Sequence, residues 1–340
     1  MIKVLVIDDS ALMRKLLSHM LEQAEDIEVV GTAEDAYQAR EQIKKLNPDV
    51  ITLDVEMPKM DGLAFLRNLM RLRPMPVVMV SSLTEKGAAV TLEAMELGAV
   101  DFIAKPKNNQ PQDLTQFHHY LVHKVRGASQ AKYQIKPKHK TPIKPPRKRF
   151  HNRLIAIGAS TGGTEAIQYL LKQMPLTCPP ILIAQHIPPV FSASFAKRLN
   201  SNCEIEIIEA QGGEMLTPGT AYIAPGDKHL TIDVRLGFAY CKLIDSDPVN
   251  RHKPSVDVLF DSIAEVQAKS AVGVLLTGMG QDGSKGLLKL NKAGAYTIAQ
   301  DEASSVVWGM PGAAVALGAC NEQLNLEDIA PKLFELLAIE

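Results

Sequence analysis

The sequence predicts an α/β protein of two doubly wound domains. The first is a βα unit repeated five times. The second is a mainly parallel sheet with an inserted β-hairpin. Three observations predict this. Short apolar runs alternate with helix-spaced apolar patterns through both halves of the 340 residues. Residues able to do chemistry fall just after those runs, at the carboxyl ends of the strands. Between the halves, residues 128–152 hold eight Lys or Arg and no Asp or Glu, with Pro137, Pro142, Pro145 and Pro146. The chain therefore divides into 1–127, a basic proline-containing linker at 128–152, and 153–340.

In the first half, strands are predicted at Lys3–Ile7, Glu28–Gly31, Val50–Leu53, Val77–Val80 and Asp101–Ile103. Runs such as V-L-V-I and V-V-M-V are apolar on both faces, as parallel strands covered by helices must be. Helices are predicted at Leu12–Leu21, Ala36–Leu46, Leu63–Arg71, Val90–Leu97 and Leu114–Val125. A βα unit repeated in this way winds both faces of one sheet. The linker that follows has low hydrophobicity and one-sided charge, which predict an extended connector, a solubilising spacer in preference to a basic tether that docks on an acidic partner or nucleic acid.

The second half opens with an apolar run from Leu154 that ends in Gly158-Ala159-Ser160-Thr161-Gly162-Gly163. Ile167, Leu170, Leu171 and Met174 then recur at helical spacing. Pro180–Gln185 is a strand ending in His186-Ile-Pro-Pro, and a helix follows near Phe191–Leu199. Strands come next at Glu204–Glu209 and Ala221–Ala224. Leu230–Val234 and Phe238–Leu243 form a hairpin about Gly237, placed at the sheet edge. Ser255 is the expected N-cap of Val256–Val266. Ala271–Leu276 is a buried strand running into Thr277-Gly-Met-Gly-Gln-Asp-Gly283. A helix near Ser284–Ala293, a strand near Tyr296–Ala299, and helices near Gly312–Leu317 and Leu326–Leu337 complete the chain.

Composition excludes several classes. The net charge of −1 argues neither for nor against nucleic acid as a partner. Tyr133 and Phe150 are the only aromatic rings besides histidine among the linker charges, so base stacking lacks a platform. Cys178, Cys203, Cys241 and Cys320 are scattered, without a C-x-x-C pair, and read as free thiols in a reducing compartment. Met1 leads directly into a strand, and no apolar run is long enough to span a bilayer. The expectation is a cytoplasmic protein with no membrane insertion.

Asp8 and Asp9 end the first strand, Asp54 the third, and Ser81 and Ser82 the fourth; Lys105-Pro106 follow the fifth. Taken singly, each carboxylate could be a helix cap. Together at one sheet edge they form a cluster that needs a cation, and hard oxygen ligands suit Mg²⁺. A carboxylate beside Mg²⁺ and a lysine can accept a phosphoryl group. This constellation, with D-V-E-M-P-K-M-D-G around Asp54, resembles the receiver domain of bacterial two-component response regulators over residues 1 to about 125. The resemblance implies a flavodoxin-like fold, and it implies that Asp54 takes a phosphoryl group from a histidine kinase. It implies that Asp8 and Asp9 hold Mg²⁺ together with Asp54. Ser81, preferred over Ser82 because it comes first after the apolar run, would sense the phosphoryl group, and Lys105 would pair with it.

In the second half, Ser160, His186 and Asp282 follow three separate buried strands. If those strands run parallel, all three emerge on one edge. Serine needs a base, histidine has the pKa to serve, and a buried carboxylate orients the imidazole. Ser160 alone could cap its helix or sit in a phosphate cradle. His186 alone could be a core histidine. Asp227, Asp257 and Asp261 are alternative acids, His229 and His252 weaker bases, and Thr161 could orient the imidazole or cap. The order Ser, His, Asp is not that of the α/β-hydrolases.

G-A-S-T-G-G, Q-H-I-P, H-K-P-S-V-D-V-L-F and T-G-M-G-x-D-G resemble the methylesterase domain of the CheB family of chemotaxis response regulators. With the receiver they span nearly the whole chain in the family order. The resemblance implies Ser160 as nucleophile, His186 as base and Asp282 as third member. The Met279 N–H would assist the oxyanion, and the catalytic domain would need no cofactor. The implied substrates are glutamate methyl esters on methylated chemoreceptors, with receptor glutamine deamidation as a related activity. Phosphorylation of Asp54 would release an inhibition exerted by the receiver.

Overall fold

The computed structural model describes residues 1–82, 84–106, 111–131 and 153–337. The chain divides into two compact units, Met1–Tyr133 and Gln134–Glu340. The predicted linker falls, from residue 132 onward, outside the described residues.

The first unit runs β1 (Ile2–Ile7), α1 (Ala11–Glu22), β2 (Ile27–Ala33), α2 (Ala36–Leu46), β3 (Val50–Asp54), α3 (Gly62–Leu72), β4 (Val77–Ser81), α4 (Glu85–Leu97), β5 (Asp101–Ala104) and α5 (Pro111–Ser129). Each of the ten predicted elements is present. The strand order is β2-β1-β3-β4-β5, with every pairing parallel. The winding reverses between β1 and β3, which opens a crevice at their carboxyl ends. Helix α4 begins earlier than its apolar period suggests because the Thr84 hydroxyl accepts from the Gly87 N–H at 2.9 Å. Helix α5 extends past the predicted Leu114–Val125 at both ends, and its last residues lie beyond the expected boundary at 127.

The second unit runs β6 (Leu154–Ala159), α6 (Gly163–Leu171), β7 (Ile181–Gln185), α7 (Pro189–Asn202), β8 (Glu206–Glu209), β9 (Thr220–Ile223), β10 (His229–Arg235), β11 (Phe238–Ile244), α8 (Val256–Val266), β12 (Ala271–Leu275), α9 (Ser284–Lys292), β13 (Tyr296–Gln300), α10 (Met310–Ala316), β14 (Glu322–Leu324) and α11 (Leu326–Leu337). Seven strands form one sheet in the order β14-β13-β12-β6-β7-β9-β8, and every pairing in it is parallel. Its winding reverses between β6 and β12.

Two expectations need correction. The hairpin β10–β11 is not an edge insertion but a separate two-stranded sheet; β14 and β8 take the edges. It turns Leu230, Ile232 and Cys241 into the same core as Leu259, Phe260 and Ile263 of α8. That helix needs the hairpin's apolar face to complete its burial. The strand β14 was also unforeseen: three residues are too few to show a period.

A close approach fixes how α8 meets the sheet. A Cβ on Gly158 would lie 2.1 Å from Val256 Cγ1, at the first turn of α8. Only glycine lets the helix start sit on β6. Gly158→Ala is therefore expected to destabilise the second unit by about 1–3 kcal/mol through overpacking. A lowered urea midpoint would report it, and an unchanged midpoint would show that Val256 can move aside.

Candidate active site

Ser160 is the first residue after β6, the strand beside the reversal. Its N–H donates to the Thr277 carbonyl at 3.0 Å, tying the turn to the end of β12. Its carbonyl accepts from the Gly163 N–H at 2.7 Å and from Gln185 Nε2 at 2.9 Å. Gly162, at φ 74°, then turns the chain into α6, and a Cβ there would meet Val306 Cβ at 2.6 Å. The N-cap position of α6 is this glycine, with no side-chain cap, so neither Ser160 nor Thr161 occupies it. Thr161 is buried, and its carbonyl accepts from Thr277 Oγ1 at 3.0 Å.

Strands β6, β7 and β12 are adjacent and parallel, so their carboxyl ends lie together. His186 Nδ1 lies 3.0 Å from Ser160 Oγ, and His186 Nε2 lies 2.8 Å from Asp282 Oδ2. With Nδ1 toward the serine, the ring is turned end for end relative to the chymotrypsin-type triad, where Nε2 faces the serine. The chemistry is preserved in the tautomer that keeps its proton on Nε2. Nδ1 is then free to accept from the hydroxyl, and Nε2–H donates to the carboxylate.

Asp282 is not the N-cap of its own helix, a position held by Gly283. It closes the start of α8 instead. Its oxygens accept from the Val256 N–H at 2.7 Å and the Asp257 N–H at 3.4 Å. Ser255 Oγ donates to it at 2.8 Å and Asn250 Nδ2 at 2.7 Å. Ser255 thus holds the N-cap position, as expected, while its hydroxyl serves Asp282 rather than the helix. Burial pushes the Asp282 carboxyl up. The His186 hydrogen bond and charge, with Asn250 and the Val256 N–H, overcome that and hold it below the ordinary range. A helix N-terminus also favours an anion.

The lowered pKa has a sign for stability. Asp282 contributes above the unfolded carboxylate pKa, near ~3.9, and the contribution fades as pH falls toward the depressed folded value. Asp282→Asn is expected to lower the urea midpoint at pH 7, with the gap to the parent protein narrowing below about pH 4. A gap independent of pH would assign the loss to packing.

The rival residues have other duties. His229 is buried; its Nδ1 accepts from the Ser255 N–H at 3.1 Å and its Nε2 faces the Asp247 carbonyl at 3.1 Å. Asp257 accepts from the Gly286 N–H at 2.6 Å, and burial raises its pKa. Asp261 lies 3.5 Å from Lys289 at the surface, and Asp227 is exposed. Met279 is half-buried in a pinned loop. The Gly278 N–H donates to Val307 O at 3.0 Å, and the Gly278 carbonyl accepts from the Met310 N–H at 2.7 Å. The Ser160 N–H is committed to Thr277, and Gly278 of this loop packs directly against Ser160.

Sequence reasoning missed three supporting side chains. Gln185 donates to the carbonyls of both Ser160 and His186, at 2.9 and 3.3 Å. Asn250 reaches Asp282 and Asp257, each at 2.7 Å. His252, weighed only as a weak base, lies flat on His186 with ring centroids 3.7 Å apart. The left-handed backbone at Asn250 has a partial sequence signal, since asparagine is favoured there.

The first unit carries its own polar cluster at the β1/β3 crevice. Asp8, Asp9 and Asp54 each bring a ligand oxygen to a group spanning 4.8 Å. That all-oxygen carboxylate set fits Mg²⁺. Lys105 Nζ lies 2.9 Å from Asp8 Oδ2 and 2.8 Å from Asp54 Oδ2. Burial pushes the Asp54 carboxyl up to about 6, against the pull of Lys105. Burial tends to lower the Lys105 pKa, but hydrogen bonds and charge from Asp54 and Asp8 leave it raised. Ser81 is fully buried at the end of β4, and its hydroxyl reaches the Gly87 carbonyl at 3.3 Å. Ser82 is half-buried, with its hydroxyl 3.4 Å from Thr84 Oγ1. A further glycine is explained here: a Cβ on Gly62 would lie 2.0 Å from the Asp54 carbonyl oxygen. Arg14, unforeseen, donates to the Asp8 and Asp9 carbonyls at 2.8 and 3.0 Å and fixes that loop.

Residues 155–333 match the family model described as CheB methylesterase, and residues 4–117 match the response regulator receiver domain. A Methylobacillus flagellatus protein named protein-glutamate methylesterase/protein-glutamine glutaminase is 54% identical, over 99% of this chain and 97% of that protein. A Hahella chejuensis protein of the same name, numbered 1, is 56% identical, over 96% of this chain and 94% of its own length. Among solved structures, the Thermotoga maritima CheB methylesterase catalytic domain is similar at 39% identity and a TM-score of 0.53. That match covers 54% of this chain and 98% of that one.

Proposed function

The chain belongs to the CheB methylesterase family and carries a response regulator receiver domain ahead of the catalytic region. On that premise we propose that it hydrolyses glutamate methyl esters on methylated chemoreceptors, deamidates receptor glutamines, and does so under control of phosphorylation at Asp54. The observation that carries the reading is the unbroken line Ser160 Oγ, His186 Nδ1, His186 Nε2, Asp282 Oδ2, at 3.0 and 2.8 Å.

Ser160 gives its proton to His186 Nδ1 as Oγ attacks the ester carbonyl carbon. The charge that develops on the carbonyl oxygen faces the 278–280 loop, where the Met279 N–H is the proposed donor. Asp282 holds the imidazolium formed in this step and stays ionised. Collapse of the tetrahedral adduct breaks the bond to the methoxy oxygen, which takes the proton from Nδ1 and leaves as methanol. Water then gives a proton to Nδ1 and attacks the acyl carbon; the bond to Ser160 Oγ breaks as Oγ takes that proton back from Nδ1, and the acid released ionises to the glutamate carboxylate and a proton. A glutamine side chain follows the same path with ammonia as the leaving group. Thr161 supports the turn, through its carbonyl, at Thr277 Oγ1.

In the receiver, Asp8, Asp9 and Asp54 would hold Mg²⁺, which offsets phosphoryl charge when bound. Asp54 is the proposed acceptor, with a histidine kinase as donor. Lys105 meets the charge of the phosphoryl oxygens, and Ser81 senses them through its hydroxyl. Among the described residues no helix is long and apolar enough to cross a membrane. A cytoplasmic location, with receptor tails as the substrate, is part of the proposal.

The test is methanol release from a methylated receptor fragment, with and without a small acyl phosphate as phosphodonor. Release that rises with the donor supports the reading. A protein that binds the fragment but releases no methanol or ammonia overturns it.

A further inference from the structure

We propose that His252 is a positioning residue for this reaction, its ring forming a wall that holds the His186 imidazole in line between Ser160 and Asp282. The inference rests on the esterase reading above. The two rings lie 3.7 Å apart at the centroids and are 9° from parallel, so they are stacked face to face. His252 is 9% exposed, so this contact lies in the interior.

A wall is needed because of how His186 is held. Its two hydrogen bonds, one to Ser160 and one to Asp282, fix two points of the ring. A ring pinned at two points can still rock about the line joining them. Rocking swings the Nδ1 lone pair off the hydroxyl, and catalysis tolerates little misplacement of reacting groups. A flat neighbour at stacking distance blocks that motion on one face. It also keeps water from that face.

The way His252 is delivered is specific. Val249 and His252 pair with each other, N–H to carbonyl at 3.1 and 2.9 Å, across a two-residue turn. Its central residues, Asn250 and Arg251, have φ of 52° and 68°. Left-handed backbone at two successive residues suits this tight turn, but arginine adopts it at a cost. The Asn250 amide offsets that cost by reaching Asp257 and Asp282, each at 2.7 Å. One strained turn therefore touches both partners of the triad: its asparagine binds the acid and its histidine stacks on the base. Packing alone would ask for bulk at His252. A wall asks for a flat ring.

The experiment compares His252→Phe, His252→Leu and His252→Ala in the full-length protein, reading kcat and KM for methanol release. The downfield proton resonance of the His186 Nε2–H bond to Asp282 is read alongside. Phenylalanine keeps the flat face and is expected to hold kcat within about threefold with the resonance intact. Leucine fills the space without a flat face. It and alanine are expected to lower kcat by up to about 10²-fold at unchanged KM, and to broaden or remove the resonance. Leucine matching phenylalanine would overturn the wall, because bulk would then suffice. Phenylalanine failing as badly as alanine would overturn it too. Should the alanine protein not fold, the leucine and phenylalanine pair still decides. A parent protein without turnover would overturn the esterase reading itself, an outcome distinct from active variants that simply match the parent.

Discussion

Ser160→Ala is expected to lower methanol release by about 10⁴-fold or more, with the protein still folded and still able to bind receptor. The magnitude follows from the loss of the nucleophile in a triad that acts as a unit, about 5 kcal/mol or more of barrier. The fold should tolerate the change. Among the described residues, the only hydrogen bond of the Ser160 hydroxyl is to His186, whereas its N–H and carbonyl, which alanine keeps, carry the links to Thr277, Gly163 and Gln185. Residual catalysis from the loop donors and from binding would remain. A fluorophosphonate should label the parent at Ser160 and leave the variant unlabelled. Normal methanol release by the alanine protein would sink the covalent mechanism. Labelling at another serine would move the nucleophile elsewhere.

Asp54→Asn is expected to abolish stimulation by an acyl phosphate donor while unstimulated turnover persists. An amide cannot form the acyl phosphate. The change is otherwise small, yet the pocket notices it: Lys105, 2.8 Å from a charged Asp54 oxygen in the parent, would face a neutral oxygen or an amide nitrogen instead. A tenfold stimulation in the parent corresponds to about 1.4 kcal/mol between less and more active states, and the asparagine protein should show none of it. Turnover with and without donor, together with acid-stable or base-labile phosphate on the protein, reads the result. Stimulation that survives in the variant would place the acceptor on another residue.

Much of this was legible in the sequence because it rests on short-range pattern. The βα alternation gives doubly apolar strands, and within each unit the strands name a sheet edge: Asp8, Asp9 and Asp54 gather on that of the first, Ser160, His186 and Asp282 on that of the second. The all-parallel pairing then brings them together without further instruction. What was not legible lies in contacts between distant elements. Nothing near Asp282 announces that it caps α8, since its partners Ser255 and Val256 sit on another helix. Gln185 reads as the last residue of a buried strand, although its amide joins two turns. His252 is one more histidine near a turn until the fold lays it on His186. The hairpin was recognised from its own residues, but its place was misjudged because the apolar demand of α8 has no local signature.

The division of labour between Ser160 and Asp282 bears on how relatives should be read. Asp282 closes a helix and binds four donors besides the imidazole, so selection for a folded chain keeps it even where chemistry is no longer used. Among the described residues, the Ser160 hydroxyl makes one hydrogen bond, to His186, and caps no helix. In a lineage that abandons catalysis, the serine is free to drift while the aspartate lingers. A retained aspartate is then a record of architecture, and a retained serine a record of use.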